Sequence, residues 1–191
     1  VSQIEGRRQE QLAAMVLSDP ETKECISIVR SHKARLWERR PNDPDFISTR
    51  LGNGSVALST KIVIPKDGIS LEDDALKSLP RQIKKQNEII EKAPIVCDIY
   101  NKQILGVVGT HEDAKSLIKN MVVQLSTHHC YTELRLVFVL NPADNDLAWV
   151  KELPHTQDSE RISSYVATTK EDAKLLFKSF NESLKHRQMS D

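Results

Sequence analysis

One octapeptide occurs twice in this chain: Thr110-His-Glu-Asp-Ala-Lys-Ser-Leu117 returns, almost residue for residue, as Thr169-Lys-Glu-Asp-Ala-Lys-Leu-Leu176. A threonine followed by acids in the next three positions is a helix start. The hydroxyl accepts a hydrogen bond from an orphan N–H of the first turn, and the carboxylates complement the positive end of the helix dipole. Behind each start the apolar residues recur at helical spacing. Ala114, Leu117, Ile118, Met121, Val122 and Leu125 form one stripe, and Ala173, Leu176, Phe177, Phe180 and Leu184 form the other. The chain is therefore committed to two amphipathic helices, over roughly 112–127 and 170–187.

The segments around these helices read as strands. Ile95–Tyr100, a tight Asn101-Lys102 turn and Ile104–Val108 precede the first helix. Leu134–Leu140 (LRLVFVL) follows it as an unbroken apolar run, the pattern of a strand at the centre of a parallel sheet. The intervening stretch leaves room for a right-handed crossover. Ser163–Ala167 is a shorter strand leading into the second helix. Earlier, Ile47–Leu58 has the form of a hairpin, with Gly52-Asn53-Gly54 supplying turn residues of positive φ. Ser59–Pro65 continues as a β-rich stretch. Residues 70–92 have a helical pattern, with a charged start at Glu72-Asp73-Asp74, a break or restart at Pro80, and Ile83, Ile89 and Ile90 inward. The first forty residues are polar and helix-prone. Leu12, Met15 and Val16 share a face, Ser18-Asp-Pro-Glu21 separates two helices, and Ile26, Val29 and Arg30 carry the second towards Leu36-Trp37. The expected organisation is a helical stalk over 1–34 and an α/β domain over 35–191 that includes a small β-rich element.

The first octapeptide also lies close to a nucleotide-binding loop. From Gly109 the chain spells G-x-x-x-x-A-K-S, where a P-loop requires G-x-x-x-x-G-K-[ST]. Lys115 and Ser116 stand in register, but Ala114 puts a Cβ on the phosphate path, and Glu112 and Asp113 bring negative charge to an anion site. The second copy, with nothing glycine-rich before it, shows that the peptide serves as a helix start without a phosphate. Leu134–Leu140 ends in Asn141-Pro-Ala-Asp-Asn-Asp146, where a Walker B strand would end in a Mg²⁺-holding acid. The fold class expected is thus an α/β parallel sheet of degenerate P-loop or Rossmann-like type, with no catalytic residue and no cofactor. The alternative is an atypical ATP and Mg²⁺ site on Gly109, Lys115 and Ser116.

Charge removes other classes. With 27 basic and 27 acidic residues the net charge is zero, which gives no electrostatic case for nucleic acid or an anionic membrane. No apolar run approaches the roughly eighteen residues a membrane span needs, and no signal peptide is visible. A chain opening on Val1 reads as a piece of something longer. Cys25, Cys97 and Cys130 are odd in number and far apart, the usage of reduced thiols in a cytoplasmic compartment. His128-His129-Cys130 lacks partners at metal-ligand spacing and reads as a helix C-terminus. Trp149-Val-Lys-Glu-Leu-Pro-His155 packs Trp149 and Leu153 inward, and His155, able to titrate near neutrality, has no triad partners in sequence.

The most distinctive peptide is Arg35-Leu-Trp-Glu-Arg-Arg-Pro-Asn-Asp-Pro-Asp-Phe46. Its prolines and Asn-Asp pair impose extended and turn geometry. Trp37 and Phe46 are anchors at its ends, and Glu38, Arg39, Arg40 and Asp45 are candidates for a docking surface. This peptide, then R-L-G-N-G at 50–54, P-I-V-C-D-I at 94–99, L-G-V-V-G at 105–109, M-V-V-Q-L-S-T-H-H at 121–129 and W-V-K-E-L-P-H at 149–155, resembles in that order one region of a known family. It is the region just after the membrane anchors of type VII secretion ATPases, the FtsK/SpoIIIE-like proteins of the EssC/EccC class. The resemblance implies a membrane-proximal domain on the cytoplasmic face of a bacterial membrane, with a degenerate ATPase fold, truncated here before its last strands. It implies a non-catalytic coupling and assembly role ahead of tandem motor domains. The implied partners are other components of the secretion membrane complex, the C-terminal ATPase domains of the same protein, and a ubiquitin-like cytoplasmic domain of a partner; nucleic acid is not among them. No position here matches the motors' catalytic residues.

Overall fold

The computed structural model describes residues 2–63, 75–143, 145–158 and 164–188. Its elements are α1 (Ser2–Ser18), α2 (Thr22–Arg30), β1 (Ser48–Ala57), α3 (Ala75–Asn87), β2 (Ile89–Asp98), α4 (Ile99–Lys102), α5 (His111–His128), β3 (Phe138–Val139), β4 (Val166–Ala167) and α6 (Lys170–Gln188), with 3₁₀ turns at Asn145–Glu152 and Pro154–Thr156. They fall into two compact units, one of residues 1–32 and 47–125, the other of residues 33–46 and 126–191. The fold is mixed α/β with small sheets.

In the first unit β1 and β2 form an antiparallel ribbon running from Ser48 opposite Asp98 to Ala57 opposite Ile89. This overturns the expected hairpin over 47–58. Gly52-Asn53-Gly54 lies inside β1, facing Ile95, Pro94 and Ala93, and neither glycine has a positive φ. The requirement at Gly54 is space: a Cβ there would stand 2.8 Å from Ile95 Cγ1. Register slips on either side of the Gly-Asn-Gly sequence let the strand bend without turning back. Ile89 and Ile90, expected on a helix, open β2, where alternation buries Ile90 and leaves Ile89 exposed. Pro80 lies within α3, and the helix runs through it.

The expected second helix is present as α2, which contains Ile26, Val29 and Arg30. Cys25 and Ile28 are fully buried, while Ile26 and Val29 are exposed. The other buried apolar residues of this unit include Ile90, Ala93 and Cys97 of β2 and Val122 and Leu125 of α5. A buried arginine crosses this core. The Arg50 guanidinium donates to the Asp19 carbonyl at 2.8 Å and pairs with Glu21 at 3.1 Å. Its backbone N–H donates to Gln124 Oε1 at 2.7 Å, and its carbonyl accepts from Gln124 Nε2 at 2.9 Å and Asn120 Nδ2 at 3.0 Å. One residue of β1 thus joins the α1–α2 turn to α5. α1 itself buries no residue. Arg8 holds it to the Ile89 carbonyl, and Gln11 to the backbone of Ala57 and Ser59.

The parallel sheet is smaller than the apolar runs suggest. Residues 104–108 form no strand, and Ile104 and Val108 stand 88% and 99% exposed. Of Leu134–Leu140 only Phe138–Val139 is a strand, paired in parallel with Val166–Ala167. Apolar character favours extension, but a strand exists only where backbone donors and acceptors meet a ladder partner. Here the ladder is short: Leu136, Phe138 and Leu140 donate to the carbonyls of His155, Tyr165 and Ala167, each at 2.9 Å. In the 3₁₀ turn that follows, Leu147 and Val150 are buried, whereas Trp149 is half-buried.

Both octapeptides begin helices as expected. Thr110 Oγ1 accepts from the Asp113 N–H at 3.2 Å, and Thr169 Oγ1 accepts from the Asp172 N–H at 3.1 Å. On α6, Ala173, Leu176 and Phe180 are half-buried and Phe180 packs against Tyr165, but Phe177, at the edge of that stripe, is exposed. The expected charged start at 72–74, the first residues of the helical pattern at 70–74, the end of the β-rich stretch at 64–65, Asp144, Ser163 and the Leu184 side chain lie outside the described residues. Residues 59–63 form no strand.

Candidate functional site

The residues singled out between 35 and 46 are gathered in the second unit, against residues 126–133. The docking has a backbone cause. The last turn of a helix presents carbonyls with no intrahelical partner, and the peptide satisfies those of α5 in succession. Trp37 Nε1 donates to the Ser126 carbonyl at 3.3 Å, the Trp37 N–H to Thr127 at 2.8 Å, and the Arg39 N–H to His128 at 2.9 Å. To do so Trp37 takes φ +58°, a left-handed conformation that costs a bulky residue about 1–3 kcal/mol. Its indole meets the Tyr131 ring edge-on at 5.4 Å.

Beyond Arg39 the chain folds back by local turn chemistry. The Asp43 carboxylate accepts from the Arg40 N–H at 2.7 Å, the Asp43 N–H donates to the Arg40 carbonyl at 2.9 Å, and the Phe46 N–H to the Asp43 carbonyl at 3.1 Å. Phe46 thereby reaches the His129 ring, edge-on at 5.2 Å. The charged residues are paired on the way. Arg39, only 3% exposed, meets Asp45 at 2.9 Å; Arg40 meets Glu133 at 3.0 Å; and Glu38 meets Arg35 at 2.6 Å.

Underneath lie three histidines, of which His128 and His129 read in the sequence as a helix C-terminus and His155 as structural. His128, His129 and His155 are all buried. His155 Nε2 stands 2.8 Å from the His129 carbonyl, and the Tyr131 ring faces the His155 ring at 6.3 Å. His128 Nδ1 lies 3.4 Å from a Glu38 oxygen. Burial, with Arg39 beside it, lowers the His128 pKa to about 4 despite the opposing pull of Glu38. Burial also lowers His155, against the hydrogen bond to the His129 carbonyl and with Arg135 adding to the shift. Glu38 is lowered as well: burial works the other way, but the hydrogen bond and charge of Arg35 outweigh it. The only trace of this cluster in the sequence is the pair His128-His129 at the end of an apolar helix.

Gly109, Lys115 and Ser116 lie in the first unit, at the start of α5. The Thr110 hydroxyl donates to Asp113 Oδ2 at 2.6 Å while capping the helix, and Lys115 Nζ sits on Glu112 at 2.9 Å. The cation in register with a P-loop lysine is thus paired with an acid of the same helical turn. Among the described residues no three His, Cys, Asp or Glu side chains converge on a metal-sized site, and no helix is long and apolar enough to cross a membrane. The three cysteines are free thiols, with Cys25 and Cys97 buried.

No family model matches the chain. Individual proteins do. It is 23% identical, over 99% of its length, to the ESX secretion system protein EccC of Geobacillus thermodenitrificans. It is 26% identical over 82% of its length to the ESX secretion system protein YukB of Bacillus subtilis. With the type VII secretion system protein EssC of Staphylococcus aureus it shares 28% identity over 77% of its length. The chain spans only 13%, 11% and 10% of those three proteins. By sequence, the chain is a homologue of one segment of the EccC, YukB and EssC proteins of type VII secretion.

Proposed function

We propose that this chain is a non-catalytic coupling and assembly segment of a type VII secretion protein, placed at the cytoplasmic face of the bacterial membrane between the membrane complex and downstream ATPase domains. In this reading its α/β part is a degenerate relative of a P-loop domain, and its partners are other components of the secretion complex, a ubiquitin-like cytoplasmic domain among them, and the motor domains of its own protein. The observation that carries the non-catalytic reading is the closed turn at Thr110–Lys115. A carboxylate beside Thr110 and another beside Lys115 set negative charge where a phosphate would have to sit. The strap of residues 35–46, which carries Trp37 and three arginines and is built on helix-end carbonyls, supports a role in contacts between proteins.

Calorimetric titration of the chain with ATP and Mg²⁺ tests this reading. No heat of binding is expected. Micromolar affinity abolished by Lys115→Ala would overturn it in favour of an ATP site on Gly109, Lys115 and Ser116.

A further inference from the structure

In the second unit, charge and protonation are confined to a space that tolerates one arrangement of them. His128, His129, His155 and Arg39 are 1%, 0%, 1% and 3% exposed. Arg39 is permanently charged and its Nε is paired with Asp45 at 2.9 Å. The Glu38 carboxylate lies 3.4 Å from His128 Nδ1 and is already engaged by Arg35. Arg39, Arg35 and the His129 ring are the other groups whose charge acts on His128. His155 is fixed differently. Its Nε2 faces a carbonyl, which can only accept, so Nε2 carries the proton and Nδ1 is bare. Among the described residues that buried Nδ1 meets no hydrogen-bond partner, and Arg135 is the charged group acting on the ring. A second proton on His128 would set a new cation beside Arg39; on His155 it would create an unmatched buried N–H.

Those rings form the floor under Lys33–Phe46. Phe46 rests on His129, Tyr131 stands between Trp37 and His155, and the Arg39 N–H donates to the His128 carbonyl. The segment is also strained, at Trp37. We propose that Lys33–Phe46 is a proton-operated strap: it stays closed on residues 126–133 while His128 and His155 are neutral, and it is released when they take up protons, with β3, β4 and α6 remaining folded. Release exposes Trp37, Arg39 and Phe46 together and frees the last carbonyls of α5.

Hydrogen exchange on the full chain tests this, read at the Trp37 and Arg39 amides, which close the strap on Thr127 and His128. After correction for intrinsic rates, their protection should fall about twentyfold between about pH 7 and about pH 5. That is the ratio set by a histidine titrating near 4 when closed and near 6.5 when open. Carboxylates stay ionised over that interval. The Phe138 and Leu140 amides, bonded to Tyr165 and Ala167, should keep their protection. The double variant His128→Gln/His155→Gln should remove the pH dependence. If that variant does not fold, NMR titration of the wild-type imidazoles decides, because loss of strap protection must track their protonation. Unchanged protection at Trp37 and Arg39, loss shared with Phe138 and Leu140, or loss that persists in the folded double variant would overturn the proposal.

Discussion

Thr110 and Thr169 do the same work in two units of the molecule. In each, the hydroxyl oxygen accepts from the N–H three residues on and the carbonyl accepts from the amide four residues on, that of Ala114 at 3.0 Å and that of Ala173 at 3.1 Å. Thr110→Ala and Thr169→Ala should each lower stability by about 1 kcal/mol, measured by denaturant unfolding. Unequal losses would mean that the bond from the Thr110 hydroxyl back to the Asp113 carboxylate carries weight of its own. These starts were legible in the sequence because capping is local: the residues that make it lie three apart. The buried histidines were not. Whether an imidazole at a helix end faces solvent or a sealed pocket depends on which distant segment covers it, and here that cover comes from residues about ninety positions earlier, as the Trp37–Ser126 separation shows.

At the scale of elements, the same contrast decides which strands were found. Periodicity marked α5 and α6 correctly, since a helix completes its own hydrogen bonds. Extended segments depend on partners that sequence does not name. Ile104–Val108 has strand composition and no ladder, while β1 keeps its ladder across a sequence that looks like a turn. The join between β1 and α5 is likewise a matter of polar pairing, invisible to hydrophobic pattern. Gln124, 3% exposed, serves both the N–H and the carbonyl of Arg50. Gln124→Leu keeps the volume but strands the Arg50 N–H, while the carbonyl keeps its bond from Asn120, and should cost about 2 kcal/mol in a chemical denaturation curve. Gln124→Glu retains the acceptor for the N–H but buries a carboxylate whose second oxygen meets the Arg50 carbonyl and Asn120 Oδ1, so it should cost at least as much as Gln124→Leu.

For the whole molecule the imidazoles set the response to acid. His128 binds a proton near 6.5 when unfolded and near 4 when folded. Between those values the unfolded chain holds more protons, so stability is present above about 6.5 and is lost as pH falls through the window. The shift of 6.5 − 4 = 2.5 corresponds to at most about 3 kcal/mol. Denaturation midpoints recorded from about pH 7 to about pH 4 should decline through that range. A midpoint that holds steady to about pH 4.5, where carboxylates begin to protonate, would show that His128 is not excluded from charge by the fold.

The second unit is assembled from residues 33–46 and 126–191, and the first from residues 1–32 and 47–125. Each interrupts the other, so no single cut in the polypeptide separates them. A chain lengthening from its N-terminus presents Trp37 and Phe46 well before it makes the residues that receive them, and those aromatics must wait, uncovered, while β1, β2 and α5 are laid down. Any fragment ending near Leu125 keeps them in that waiting state, with their hydrophobic rings as a ready site for aggregation or for a chaperone.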